Sequence, residues 1–325
     1  YIGFSVDYYN TNTSNMLLYV PVPLLTGYST SLQNIGKVNN RGWELALTSQ
    51  HTFANGFGYS FNANYAKNTN EVKELGPGNA PIISTGSVGH AFYKTEVGKP
   101  IGNYYLLVQD GIFATAEDLK KYPHFDNTEV GDFRFVDVDG DGKLDLDKDR
   151  TICGNYMPKF TYGFGGKLWY AGFDMDFNFQ GVYGNKILNL NKRYLDNMEG
   201  NTNGTKIALD RWRSPENPGS GSVNKANRKQ TGYNSRTSTW HLESGSYLRL
   251  QNLSLGYTLP RALTQKFKVE KLRVYVSGQN LFTITDYSGY NPEVNARPSK
   301  NLTPGEDYGT YPLARTYMFG LNLTL

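Results

Sequence analysis

The feature that most limits what this chain can become is a one-by-one alternation of apolar and polar residues in segments about ten residues long. Ile2, Phe4, Val6 and Tyr8 alternate with Gly3, Ser5 and Asp7. Phe57, Tyr59, Phe61, Ala63 and Tyr65 alternate with Gly58, Ser60, Asn62 and Asn64. Phe173, Met175, Phe177 and Phe179 alternate with Asp174, Asp176, Asn178 and Gln180, directly after a tight Ala171-Gly172 turn. Trp43–Leu47, Phe160–Tyr170, Leu272–Val276 and Tyr317–Leu325 repeat the pattern. A period of two places the two sets on opposite faces of a β-strand. In Leu248–Leu259 the apolar phase changes, which a bulge near Gln251-Asn252 explains.

A β-sandwich also alternates, with its apolar face inward. Three features favour a membrane wall instead. The segments have the length that crosses a bilayer when tilted. Their polar faces carry Asn, Gln, Asp and Gly, which suits a wet lumen; Asp174, Asp176, Asn178 and Gln180 are the expected lumen lining. Aromatic residues stand near segment ends (Trp43, Trp169, Tyr170, Tyr247, Tyr257, Tyr317), as in the girdles of outer-membrane barrels. The chain has no run of about 18 apolar residues, so no transmembrane helix is expected. Lys and Arg number 33 and Asp and Glu 29, a net +4 that is too weak to argue for nucleic acid. The single cysteine, Cys153, excludes a disulfide framework.

Connection lengths give an orientation. Short links at 10–14, 52–56, 171–172 and 260–269 alternate with long ones at 21–37, 69–157, 185–243 and 286–312. Outer-membrane barrels have short periplasmic turns and long external loops. The reading is all-β, about nine antiparallel strands: 1–9, 15–20, 38–51, 57–68, 158–170, 173–184, 245–259, 270–285 and 313–325. The first and last then both run toward the periplasm. An even barrel with periplasmic ends would need an odd number of strands before Tyr1, and the chain is read as the C-terminal portion, 1–325, of a longer barrel.

Several motifs then carry a family resemblance. They are Ser5-Val6-Asp7-Tyr8-Tyr9-Asn10; Leu32–Val38 followed by Gly42-Trp43-Glu44-Leu45; and Val97–Gly102 with Asp110-Gly111-Ile112-Phe113. Further along stand Gly131–Phe135, Trp212 with Pro215-Glu216-Asn217-Pro218, Ser277–Phe282 through Tyr290–Glu293, and Tyr311–Tyr317. In this order they resemble the C-terminal barrel portion of SusC/RagA-type TonB-dependent transporters of Bacteroidetes outer membranes. The resemblance implies a transmembrane barrel of 22 strands around an N-terminal plug. Nine strands here leave 22 − 9 = 13, an odd number. It further implies a SusD-like surface lipoprotein, energy from a TonB complex through segments outside this sequence, a bed of outer-membrane lipids, and import of oligosaccharides or peptides. One departure is the end: the family's barrels finish on an aromatic residue, whereas Leu325 stands here.

One motif carries explicit chemistry. Asp137-Val138-Asp139-Gly140-Asp141-Gly142-Lys143-Leu144-Asp145-Leu146-Asp147-Lys148-Asp149 reads like a Ca²⁺ loop, with acids at positions 1, 3 and 5 and Gly at 6. Lys143 would offer its carbonyl and Asp145 stands at position 9. Position 12 is Lys148 rather than an acid, so Asp147 or Asp149 would have to replace it. A bound Ca²⁺ would stiffen a long extracellular loop, 69–157, of 157 − 69 + 1 = 89 residues. Arg211, Trp212 and Arg213 are candidates for substrate or lid contact. His51, His90, His124 and His241 show no ligand spacing, and neither a nucleophile elbow nor a phosphate loop occurs, so no enzyme is expected. Two functions stand open: active import through a plugged barrel, and a calcium-dependent surface-binding or adhesion β domain without transport.

Overall fold

The computed structural model describes residues 1–325 except 22–24, 26, 29, 89, 230 and 231. The chain opens with three long strands, β1 (Ile2–Pro21), β2 (Thr30–Thr52) and β3 (Gly58–Glu74). The next connection holds β4 (Ile82–Thr85), β5 (Phe92–Thr95), β6 (Asn103–Leu107), β7 (Gln109–Ile112), the helix α1 (Ala116–Lys121), β8 (Phe133–Phe135) and β9 (Arg150–Ile152). The hairpin β10 (Phe160–Tyr170) and β11 (Phe173–Tyr183) follows, then β12 (Lys186–Asn189), α2 (Lys192–Leu195) and β13 (Leu242–Ser244). The chain finishes with β14 (Tyr247–Thr258), α3 (Arg261–Thr264), β15 (Lys271–Thr285), β16 (Glu306–Asp307) and β17 (Thr316–Thr324).

Eight of these strands form one antiparallel wall in the order β1-β2-β3-β10-β11-β14-β15-β17. The β10–β11 turn uses Ala171 and Gly172, both at positive φ (48° and 87°), the backbone that a two-residue hairpin with native twist requires. A register shift opposite β11, where Asn178 pairs with Asn252 and Phe179 with Leu250, produces the expected bulge and leaves Gln251 as the extra residue.

The strand count corrects one expectation. Residues 10–14 are not a turn. β1 pairs with β2 from Ile2↔Ser49 to Pro21↔Thr30, broken only by two register shifts between Thr13 and Leu17, next to Asn15, whose φ is +57°. The polar run stays extended because asparagine side chains bridge the strands. The Asn39 amide donates to Asn10 Oδ1 (2.6 Å) and Asn12 Oδ1 (3.0 Å), and Asn68 and Asn70 donate to Asn40 Oδ1 (3.2 and 2.9 Å). The wall therefore has eight strands, not nine, and β1 runs toward the long loops rather than away from them. With eight strands and β1 running toward the long loops, parity no longer calls for an odd number of preceding strands. The supposed long link at 21–37 is mostly strand; what remains of it lies largely outside the described residues.

Burial is inverted relative to a soluble sandwich. On interior strands of the wall, Phe173 is 65% and Leu255 46% exposed. The buried core lies among the long connections instead. Tyr93, Tyr104, Leu106, Leu188 and Leu190 form one cluster, and Leu107, Ile112, Phe125, Phe133 and Phe135 another. Side chains of this size contribute about 1.5–3 kcal/mol each when fully buried. An apolar face left outside while the loops keep a core is what lipid, not water, around the wall would stabilise.

Candidate functional site

The apolar face carries two aromatic rows. The upper row runs Tyr8–Trp43 (4.7 Å between ring centroids), Tyr65–Phe160 (5.3 Å) and Phe160–Tyr183 (5.0 Å). The lower row runs Phe57–Tyr170 (6.4 Å) and Phe173–Tyr257 (4.5 Å). Ten residues separate them along β10 and along β11, since Phe160 pairs with Tyr183 and Tyr170 with Phe173. Ten residues span about 33 Å along a strand, or about 25 Å of height at a tilt near 40°, the apolar band of an outer-membrane barrel. Two expected girdle residues belong to the other face: Trp169 pairs with Asp174, and the Tyr247 hydroxyl donates to Glu293 (2.6 Å).

That polar face gathers all four residues expected to line a lumen. Asp174 is gripped by Arg273 through two bonds (2.8 and 2.6 Å), so it is a paired wall residue rather than half of an acid pair. Asp176 pairs in register with Lys167 and Ser254, and Asn178 with Gly165 and Asn252. Gln180 donates to Glu293 Oε1 (3.1 Å). Arg249 donates to Glu293, to Asn291 Oδ1 (2.7 Å) and to Thr283 Oγ1 (3.0 Å), which moors the 286–297 segment to the wall.

Above the wall, three long connections are stapled together around Glu306. This fully buried carboxylate accepts from the Ser87 N–H (2.9 Å), the Ser87 hydroxyl and the Tyr93 hydroxyl (3.0 Å). β16, which carries it, pairs in parallel with β12, Leu188↔Glu306 and Asn189↔Asp307. The Asp307 carboxylate accepts from the Tyr287 hydroxyl (2.6 Å). Burial first, then the neighbouring Tyr104 and Glu306, holds the Tyr93 hydroxyl well above the ordinary range. Sequence reasoning missed this staple, because Glu306 and Ser87 are 219 residues apart and no local pattern joins them.

The acidic loop folds on itself. Asp137 accepts from the Gly140 (2.7 Å) and Gly142 (2.8 Å) N–H groups, and Asp149 from Val138 (2.7 Å) and Asp145 (2.6 Å). The Gly142 N–H chiefly lowers the Asp137 carboxyl below its ordinary range. Oxygens of Asp137, Asp139 and Asp149 lie within 4.8 Å of one another. The other expected ligands are turned to other work. Asp141 accepts from Lys143 N (2.9 Å) and lies 3.8 Å from Lys148, Asp145 accepts from Asp147 N (2.7 Å), and Asp147 pairs with Arg150 (3.0 Å).

Trp212 packs against the Phe133 cluster, and its indole N–H donates to Ala114 O (3.3 Å). Arg211 and Arg213 donate to nearby carbonyls, Ala208 O (2.8 Å) and Leu209 O (2.7 Å). Burial pushes the Cys153 thiol up, in keeping with an unreactive group.

A wall with an apolar band between aromatic rows, a polar opposite face and a packed layer at one end defines a β-barrel protein of the bacterial outer membrane. The sequence matches the family described as TonB dependent receptor-like, beta-barrel over residues 1–281. It is 35% identical to TonB-dependent receptor P3 of Formosa agariphila over 99% of this chain and 32% of that one. It is 26% identical to TonB-dependent receptor SusC of Bacteroides thetaiotaomicron over 98% of this chain and 30% of that one. A solved structure of the RagAB peptide importer in a closed-closed state superposes with a TM-score of 0.74 at 26% identity, covering 99% of this chain and 33% of that one. The chain belongs to the TonB-dependent receptor β-barrel family, whose members are receptors and transporters rather than enzymes. It spans about a third of the length of the curated relatives it matches.

Proposed function

We propose that this chain forms the C-terminal part of the barrel in an active importer that moves oligosaccharides or peptides across the outer membrane. A SusD-like lipoprotein would cover the loop layer, and a TonB complex would supply energy. The observation that carries this reading is similarity along nearly the whole chain to relatives that include SusC. The polar wall supports it, since a hydrated route needs such a face. A surface binder without transport fits less well, because nothing in that role calls for an apolar band facing lipid. The experiment is purification from native outer membranes in detergent, with mass spectrometry of what co-purifies. A lipoprotein partner and bound oligosaccharide or peptide are the expected companions. A chain that stays soluble and alone without detergent overturns the importer.

Within that reading we propose a structural Ca²⁺ on Asp137, Asp139 and Asp149, a compact set of hard oxygen donors. At a hundredfold excess over Kd, Ca²⁺ would stabilise the 137–149 loop by about 3 kcal/mol. Chelation should therefore speed proteolysis within this loop. Asp139→Asn keeps an oxygen able to accept from Asp141 N–H but removes a charge, and should abolish the Ca²⁺ effect. Equal protease resistance with and without Ca²⁺ removes the metal from the proposal.

A further inference from the structure

At the upper edge of the membrane band the wall has a notch. β10 pairs with β3 only as far as Thr161↔Ala66, while β3 continues to Glu74. The gap holds a cavity of about 740 Å³ whose lining includes Tyr65, Lys67, Lys159, Phe160, Gly184 and Lys186. Tyr65 and Phe160 belong to the upper aromatic row. Lys67 lies on the same outer face, opposite Trp43 in register. The other two lysine stems are seated by glycines: a Cβ at Gly184 would strike the Lys159 stem at 2.6 Å, and one at Gly154 would crowd Lys186 Cγ at 3.2 Å. No lining residue is acidic. Among the described residues, none of the three lysines has a carboxylate within 4.0 Å. The nearest acid on that strand face, Glu71, is tied to Lys73 at 2.8 Å. Elsewhere the cations beside cavities have acids with them: Lys120 and Lys121 share theirs with Asp126 and Asp145, and Arg273 is paired with Asp174.

We propose that this notch binds the phosphorylated head group of an outer-leaflet lipid. Lys67 stands on the lipid-facing side, Lys159 and Lys186 line the same gap where the apolar band ends, at the depth of a lipid's phosphates, and the aromatic row beneath would pack against its acyl chains. Basic pockets at this level recognise anionic head groups by the same charge complementarity. The proposal rests on the membrane wall alone and does not depend on what the barrel imports.

The test titrates the full-length protein in detergent with diphosphorylated lipid A and reads adducts by native mass spectrometry. Retention is expected in the wild type, with loss on the order of tenfold to a hundredfold in Lys67→Gln/Lys159→Gln/Lys186→Gln and near-full retention when the three become Arg. Heat-modifiable migration on gels checks that each variant is folded. If the triple variant is not, the exposed Lys67→Gln alone is read in the same titration. Dephosphorylated lipid A should bind poorly, and millimolar inorganic phosphate should not displace the lipid. Equal retention by wild type and the Gln variant, equal binding of dephosphorylated lipid, or displacement by phosphate alone overturns the assignment.

Discussion

Replacing Glu306 by alanine is expected to loosen the loop layer while leaving the wall intact. The carboxylate is fully buried, and its loss strands the Ser87 N–H and hydroxyl and the Tyr93 hydroxyl without acceptors. Each buried donor left unsatisfied costs about 1–3 kcal/mol, so the loss of three partners should be several kcal/mol. Glu306→Gln keeps the shape and one acceptor, so its cost should be smaller, about 1–3 kcal/mol. Hydrogen exchange separates the two regions. Amides of 82–95 and 187–190 should exchange faster in the alanine variant, while those of the β10–β11 hairpin should not change. Unaltered exchange in both segments would show that the staple contributes little.

Acid should act on the same layer. His241 is fully buried, and its Nδ1 accepts from the Ser238 N–H (3.2 Å). Burial first, then Lys192 and Arg193, lowers its pKa to about 3. His90 lies against Arg236; burial, then Arg236, Arg193 and Arg150, lowers its pKa to about 4. Both are neutral in the folded chain, whereas an unfolded histidine takes a proton near pH 6.5. Their contribution is complete above about pH 6.5 and is lost as pH falls from there toward the folded values. By pH 4.5, His241 alone removes about 2–3 kcal/mol. His90 is part-exposed and adds less. Trp240 stands edge-on to His241 at 5.0 Å, so its fluorescence reports the event. Loop protection and Trp240 emission that stay unchanged between pH 7 and 4.5 would sink this prediction.

The wall was legible because each strand reports on itself. The alternation at Phe173–Gln180 needs no partner to be read, and the phase change at Gln251 announces its bulge. Residues 10–14 misled for a physical reason: their composition is that of a turn, and it is pairing with β2, with Asn39 bridging Asn10 and Asn12, that keeps them extended. The loop layer was illegible beyond its length. Its short strands pair across large separations, as Leu188 does with Glu306, and periodicity over two to five residues carries no signal. The acidic loop lay between these cases. Its spacing named the segment, but only the fold shows that Asp149 rather than Lys148 stands beside Asp137 and Asp139.

The Ser87–Glu306 staple also sets an order of assembly. One partner follows the third strand of the wall and the other precedes the last, 219 positions apart in sequence. Contacts so far apart in sequence form only after the intervening chain has been placed, because loop closure must come before they can stabilise anything. The cap of the barrel is thus a late event, completed when β16 pairs with β12. Until then the outer segments of β4 to β13 are held only by their own local pairings. A chain that lost Glu306 would keep the pairings within β4 to β13 but not the bond that ties them to β16, so its exterior should be cut by proteases that the finished protein resists.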